Sequence, residues 1–161
     1  MAFFVMGAPQ VGASSDGVAV PTEVIELQEK GTDVFYLSAK MGVKANVELM
    51  LDTGSGYLAI NEALLDELKD GGMATYQRSI RARLANGSVK KVPVYRISQL
   101  TLGKGCIIHN VDAAVLRGKT RNILGLNVLK QMESFSVSFN PPRLVLNGCQ
   151  AAGQLVSVTA Q

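Results

Sequence analysis

The sequence has no tryptophan, one histidine and two cysteines. One imidazole and two thiols cannot build a His-rich or Cys-rich metal cluster, nor a cysteine-dense scaffold. Aromatic residues make up only 6% of the chain, too few for a base-stacking surface. Neither sign of charge dominates. Sixteen basic against thirteen acidic side chains leave +3, too mild a bias to argue for nucleic acid or an acidic membrane as partner. No apolar run approaches the roughly 20 residues that span a bilayer, so stable membrane insertion is not expected. What remains is a chain of 161 residues, 47% hydrophobic and 18% charged, enough for one globular domain with a real core.

Residues Ala2 to Ala8 are apolar, and the small residues Val11, Gly12 and Ala13 follow. Two readings stay open: a flexible hydrophobic arm, or the remnant of an export signal, hence a periplasmic protein rather than a cytoplasmic one. Gly12 to Pro21 reads as a linker. The expected organisation is an arm over residues 1–22, a folded domain over 23–149 and a tail over 150–161. Cys106 and Cys149 either pair in an oxidising compartment or stay as two buried thiols.

From Val24 onward the patterning is mostly β. Val34 to Met41, Val47 to Leu51, Arg78 to Leu84, Val89 to Ile97, Leu100 to Leu102, Cys106 to Leu116, Phe135 to Phe139 and Leu144 to Leu146 are strand candidates. Asn61 to Lys69 changes period: Asn61 can cap, Ala63, Leu64, Leu65 and Leu68 form one apolar face, and Gly71-Gly72 stops the helix. A second short helix fits Leu126 to Gln131. Asn86-Gly87 between two strand-like runs predicts a two-residue type I′ hairpin, and Pro141-Pro142 separates the last two strands. The expectation is an all-β domain with one or two short helices.

Among the thirteen carboxylates, Glu23, Glu26, Glu29, Asp66, Glu67 and Asp70 read as solvated. Asp52 differs, because it ends the apolar run Val47-Glu48-Leu49-Met50-Leu51 and opens Asp52-Thr53-Gly54-Ser55-Gly56. A carboxylate at the end of a buried strand is costly unless hydrogen-bonded, and the residues after it supply hydroxyl and backbone donors. Alone, this pattern fits either an Asx-type turn or a functional acid.

The surroundings of Asp52 narrow the choice. Asp52-Thr53-Gly54-Ser55 resembles the active-site loop of aspartic proteases. Asn122-Ile123-Leu124-Gly125-Leu126-Asn127-Val128-Leu129-Lys130-Gln131 resembles the closing segment of retroviral-type proteases, in which an apolar-apolar-Gly strand packs beside the catalytic loop and runs into a short helix. Leu84-Ala85-Asn86-Gly87-Ser88-Val89 lies between them, where that family has its flap hairpin. From about Val34 to Leu146 the resemblance is to the retropepsin-like family, and to its bacterial single-domain members in particular.

That resemblance implies a closed barrel active as a homodimer, and an aspartic endopeptidase that needs no metal or organic cofactor. Asp52 of each subunit would share one water, one ionised as base and one protonated as acid. Thr53 would cross-brace the two loops, Gly54 would present its backbone to the carboxylates, and Ser55 would hydrogen-bond the outer carboxylate oxygen. Ala85, Asn86 and Gly87 would form the flap over an extended peptide or protein substrate. Ile123, Leu124 and Gly125 would close the site from the side. Retroviral proteases build the dimer sheet from terminal strands, and Leu144 to Leu146 is the natural candidate here. The alternatives are an inactive dimeric peptide-binding module of the same fold, and a small β-barrel ligand binder in which Asp-Thr-Gly-Ser is only a turn.

The other polar residues have plainer readings. His109 fits a core or edge position, and Asp112 an outward-facing strand position, with a structural hydrogen bond as the alternative. Arg78, Arg81, Arg83, Lys90, Lys91 and Arg96 fit the solvated face of a hairpin, where they also discourage edge pairing; selection of acidic substrates is the sharper alternative.

Overall fold

The computed structural model describes residues 21–42 and 44–149, so the expectations for the arm and the tail fall on residues outside this range. Eleven strands and two short helices follow one another: β1 Thr22–Glu26, β2 Gln28–Glu29, β3 Phe35–Met41, β4 Lys44–Leu51, β5 Leu58–Asn61, α1 Glu62–Asp70, β6 Ala74–Arg83, β7 Val89–Leu102, β8 Cys106–Leu116, β9 Ile123–Leu124, α2 Leu126–Leu129, β10 Ser134–Phe139 and β11 Pro142–Asn147. They form an eight-stranded sheet, ordered β2-β3-β4-β9-β5-β8-β7-β6, and a three-stranded sheet, ordered β1-β11-β10. The larger sheet closes on itself because β3 also pairs with β7, matching Ala39 to Leu102 and Met41 to Leu100. The closed barrel expected from the sequence is present.

Alternation decides which side chains fill it. In β3, Leu37, Ala39 and Met41 are buried while Ser38 and Lys40 face water. Antiparallel pairing sets Leu37 opposite Leu49 and Ala39 opposite Val47 of β4. Leu58, Ile60, Ile97, Leu100, Leu102 and Leu124 are fully enclosed in the same core. Each such side chain contributes about 2 kcal/mol of apolar burial, and no polar or charged side chain is buried among the described residues.

Helix α1 seals one side. The Asn61 side chain accepts the Leu64 N–H at 2.9 Å, and Leu64, Leu65 and Leu68 face the core. Gly72 follows the helix in the left-handed conformation, φ +66°. The predicted strands Val89 to Ile97 and Leu100 to Leu102 prove to be one, β7. Its first part pairs with β6 and β8, and its last part with β3 and β8. Helix α2 stops at Leu129, short of Gln131. The chain breaks at Pro141-Pro142 as expected: β10 ends at Phe139, β11 begins at Pro142, and the two form a hairpin in which Phe139 meets Pro142.

The smaller sheet is tied to the barrel at several points. Cys106 at the start of β8 and Cys149 after β11 form a disulfide, Cα–Cα 5.4 Å, which settles their open status. Glu23, expected in water, instead accepts the backbone N–H groups of Lys104 and Gly105 at 2.7 and 3.1 Å and so caps the turn between β7 and β8. Phe139 of β10 packs on Phe35 of β3, ring centroids 5.3 Å apart. Leu144 to Leu146 lie in β11, the centre of this sheet, with both edges occupied by β1 and β10. A strand so enclosed has no free main-chain groups to offer another copy, which overturns its assignment as the dimer strand.

Candidate active site

Strand β4 delivers Asp52. Its residues Met50 and Leu51 run parallel to Ile123 and Leu124 of β9. The Met50 N–H donates to the Asn122 carbonyl at 2.9 Å, and the Asp52 N–H to the Leu124 carbonyl at 3.2 Å. Beyond Asp52 the chain turns sharply. The Ser55 N–H donates to the Asp52 carbonyl at 3.2 Å, and the Gly54 N–H to Asp52 Oδ1 at 2.8 Å. The carboxylate is half-buried, while Thr53, Gly54 and Gly56 are exposed.

The closing segment embraces this loop from behind. Leu126 N–H donates to the Ser55 carbonyl at 2.8 Å and Asn127 N–H to the Gly56 carbonyl at 3.2 Å. Gly125 is needed for steric reasons: a Cβ there would lie 2.1 Å from the Tyr57 carbonyl oxygen and 2.9 Å from that of Ser55. Ile123 pairs with Met50 on one side and Ala59 of β5 on the other, so β9 wedges between the strands before and after the loop. Ile123, Leu124 and Gly125 therefore adjoin the loop of Asp52, Thr53, Gly54 and Ser55. The Ser55 hydroxyl does not reach the Asp52 carboxylate; it donates to the Tyr57 carbonyl at 2.8 Å, bracing the turn from within. That corrects its expected role.

The hairpin tip is built differently from the predicted type I′ turn. Gly87 alone has positive φ, +81°, and Asn86 does not. The Gly87 N–H donates to the Leu84 carbonyl and the Leu84 N–H to the Ser88 carbonyl, both at 2.8 Å. This is a three-residue loop, Ala85 to Gly87, ending in a glycine bulge. Asn86 Oδ1 accepts the Ser88 N–H at 3.1 Å and the Ser88 hydroxyl at 2.7 Å. The tip's hydrogen bonds are its own, and none runs to the Asp52 loop.

Several residues read singly in the sequence together connect the hairpin's base to the loop. Arg78 of β6 donates to the Tyr57 hydroxyl at 3.3 Å and to Asp112 Oδ2 at 2.9 Å. Arg96 of β7 donates to Asp112 Oδ1 from Nε at 2.9 Å and from a terminal nitrogen at 2.8 Å. Asn127 accepts the Leu58 N–H at 2.6 Å and donates to the Asp112 carbonyl at 2.7 Å. Of the two readings of Asp112, the structure bears out the structural hydrogen bond over the simple outward-facing position: its carboxylate is the hub of an ion-pair cluster. Partial burial pushes its carboxyl up, but the hydrogen bonds from Arg96 and then Arg78 outweigh this and hold it below the usual carboxylate range. Asn127 lay in plain view inside the closing segment, and Asp112, Arg78 and Arg96 each stood out in the sequence, but nothing there showed that they meet. His109 is exposed on β8 and plays no part here.

Two clefts, of about 440 and 340 Å³, lie elsewhere: one beside Lys30, Glu48, Asn61 and Arg121, the other beside His109, Met132 and Cys149. Among the described residues no cluster of His, Cys, Asp or Glu suited to a metal ion occurs, and no helix is long and apolar enough to cross a membrane.

Comparison with known proteins agrees with this geometry. The model of a family described as "gag-polyprotein putative aspartyl protease" matches residues 38–131, more than half of the chain. Among solved structures, a retropepsin-like aspartic protease from Rickettsia conorii superposes with a TM-score of 0.58 at 22% identity, covering 80% of this chain and 91% of that one. No curated protein sequence matches the chain.

Proposed function

From the premise that this chain belongs to the gag-polyprotein aspartyl protease family and has a retropepsin-like fold, we propose that it is an aspartic endopeptidase active as a homodimer. One observation carries the reading. A single Asp-Thr-Gly loop is held rigidly from behind, yet its half-buried carboxylate accepts only a local N–H, and its outer residues face solvent. Asp112, the other acid in an apolar stretch, is committed to Arg78 and Arg96. A second carboxylate therefore comes from Asp52 of a second copy, since a two-fold axis pairs a residue near it with itself.

The chemistry follows from two carboxyls sharing a proton. The ionised Asp52 takes a proton from water as its oxygen attacks the scissile carbonyl carbon. The protonated Asp52 gives its proton to the carbonyl oxygen, leaving a tetrahedral diol. The C–N bond then breaks as the carboxyl holding the water's proton passes it to the departing nitrogen while the other carboxylate takes a diol hydroxyl proton, releasing a carboxylic acid and an amine and restoring the shared proton. Thr53 is the proposed cross-brace between the two loops. Ala85, Asn86 and Gly87 close over a peptide that binds as an added strand. With β11 enclosed, contact between copies through strand addition falls to the open edges β1 and β10, where Val24 is 52% and Phe139 66% exposed. The Cys106–Cys149 pair supports an exported, oxidising location.

The test compares wild type with Asp52→Asn on a peptide library while the oligomeric state is followed by sedimentation. The reading requires cleavage that rises with dimer population and falls by about 10³-fold or more in the variant. Equal cleavage by both proteins, or cleavage by a species that stays monomeric, would refute it.

A further inference from the structure

Charge is segregated along the chain. Residues 71–111 hold seven Lys and Arg and no Asp or Glu, whereas the other 120 residues hold nine basic and thirteen acidic side chains. Six of the seven lie in the β6–β7 hairpin, and they divide between its two faces. Residues directly opposite in an antiparallel pair share a face, and alternate residues along a strand return to it. Arg78 faces with Val94, Ile80 with Val92, and Ala82 with Lys90; across β7, Val94 faces with Ala114 and Arg96 with Asp112. Arg81, Arg83 and Lys91 fall on the other side.

The protective role of edge cations accounts for Arg81 and Arg83, because β6 is an edge strand of the larger sheet. It does not account for Arg78. That guanidinium lies against the Tyr57 hydroxyl, directly after the Asp52 to Gly56 loop, and shares Asp112 with Arg96. Two guanidiniums on one carboxylate leave the cluster with one positive charge in excess. Arg78 keeps 47% of its side chain open to solvent, on the hairpin face that includes Ile80, Val92 and Val94. An extended peptide lying between this face and the Asp52 loop would pass a donor-rich cluster that carries one positive charge in excess.

We infer that Arg78, held by Tyr57 and Asp112, is a specificity-determining residue that selects an acidic side chain at one position flanking the scissile bond. The inference rests on the peptidase reading above and names the substrate class of the same site. Lys90, on the same face nearer the tip, adds to the attraction without fixing its position.

The experiment moves a single Glu along an otherwise neutral peptide and compares each Glu peptide with its Gln counterpart. In wild type, one position gives a kcat/KM ratio of about tenfold in favour of Glu, the scale of one partly exposed charge-assisted hydrogen bond. The ratio falls toward one in Arg78→Gln and persists in Arg81→Gln, which removes the same charge from the opposite face. In wild type it also falls as pH drops below about 4, where the peptide's Glu becomes neutral. No preference at any position in wild type overturns the proposal. So does a preference that survives in Arg78→Gln, or one lost equally in Arg81→Gln, which would mark a diffuse field rather than a subsite. The same ratio is read as binding of labelled peptides to Asp52→Asn. Absence of cleavage would thus count against the peptidase reading, while the binding ratio still decides the role of Arg78.

Discussion

The Asp52 loop and the Asn86 tip use the same local device in opposite settings. In each, a short polar side chain accepts the backbone N–H two residues on: Asp52 from Gly54 at 2.8 Å, Asn86 from Ser88 at 3.1 Å. Around Asp52 the closing segment adds main-chain bonds from Leu126 and Asn127, and Gly125 lets the two backbones touch. Around Asn86 no hydrogen bond is added from outside the hairpin among the described residues, and the Arg78–Asp112–Arg96 cluster ties down only the hairpin's base. A turn alone therefore decides neither rigidity nor role. Segments distant in sequence brace the Asp52 loop, whereas the described hydrogen bonds of the Asn86 tip are local to its hairpin.

The comparison breaks most severely at Gly125. Gly125→Ala drives a methyl into the Tyr57 carbonyl, with backbone on both sides and little room to yield. It is expected to destabilise the protein by about 3 kcal/mol and abolish cleavage, as denaturant unfolding and peptide assays would register. Asn127→Ala strips the Leu58 N–H and the Asp112 carbonyl of their partner. A loss of about 2 kcal/mol is expected in the same unfolding experiment, with the Asp52 loop losing hydrogen-exchange protection before the hairpin does.

A smaller effect comes from the link between the two regions. Asp112 has a lowered pKa in the folded state, so its contribution is present above the unfolded carboxylate pKa and disappears as pH falls through the lower folded value. Asp112→Asn is expected to cost about 1 kcal/mol at pH 7, because both guanidiniums are substantially exposed. The gap to wild type closes as the solution is acidified below about pH 4, as stability curves over pH would reveal. At the tip, Gly87→Ala meets open space and pays only for its φ of +81°. The expected loss is about 1 kcal/mol, confined to exchange rates and melting of the hairpin.

Much of this was legible in the sequence, for physical reasons that differ by element. Enrichment in β-branched, aromatic and aliphatic residues marked β3 and β4, the Asn61 cap with its leucine face marked α1, and Asp-Thr-Gly marked the loop because a carboxylate ending a buried strand is costly unless hydrogen-bonded. The break expected before Leu100 was absent because β7 exchanges one set of partners for another without ending, and single-strand patterning does not encode partners. Ser55 and the hairpin turn were misjudged because a hydroxyl and an Asn-Gly pair each admit more than one local hydrogen-bond solution. The Arg78–Asp112–Arg96 cluster was half visible: its charges stood out, but their meeting depends on register across three strands. The disulfide was undecidable from two cysteines alone.

The seam that closes the barrel has a kinetic consequence. Ala39 meets Leu102 and Met41 meets Leu100 only after everything between has been drawn together, so the ring cannot shut by zippering neighbouring residues. Hairpins such as β6–β7 and β10–β11 can assemble within microseconds, whereas the β3–β7 junction pays the entropy of a long loop before any contact rewards it. Folding is thus expected to be limited by this late, distant pairing and to run in milliseconds to seconds, with substitutions at Met41 or Leu100 slowing it more than substitutions at the tip.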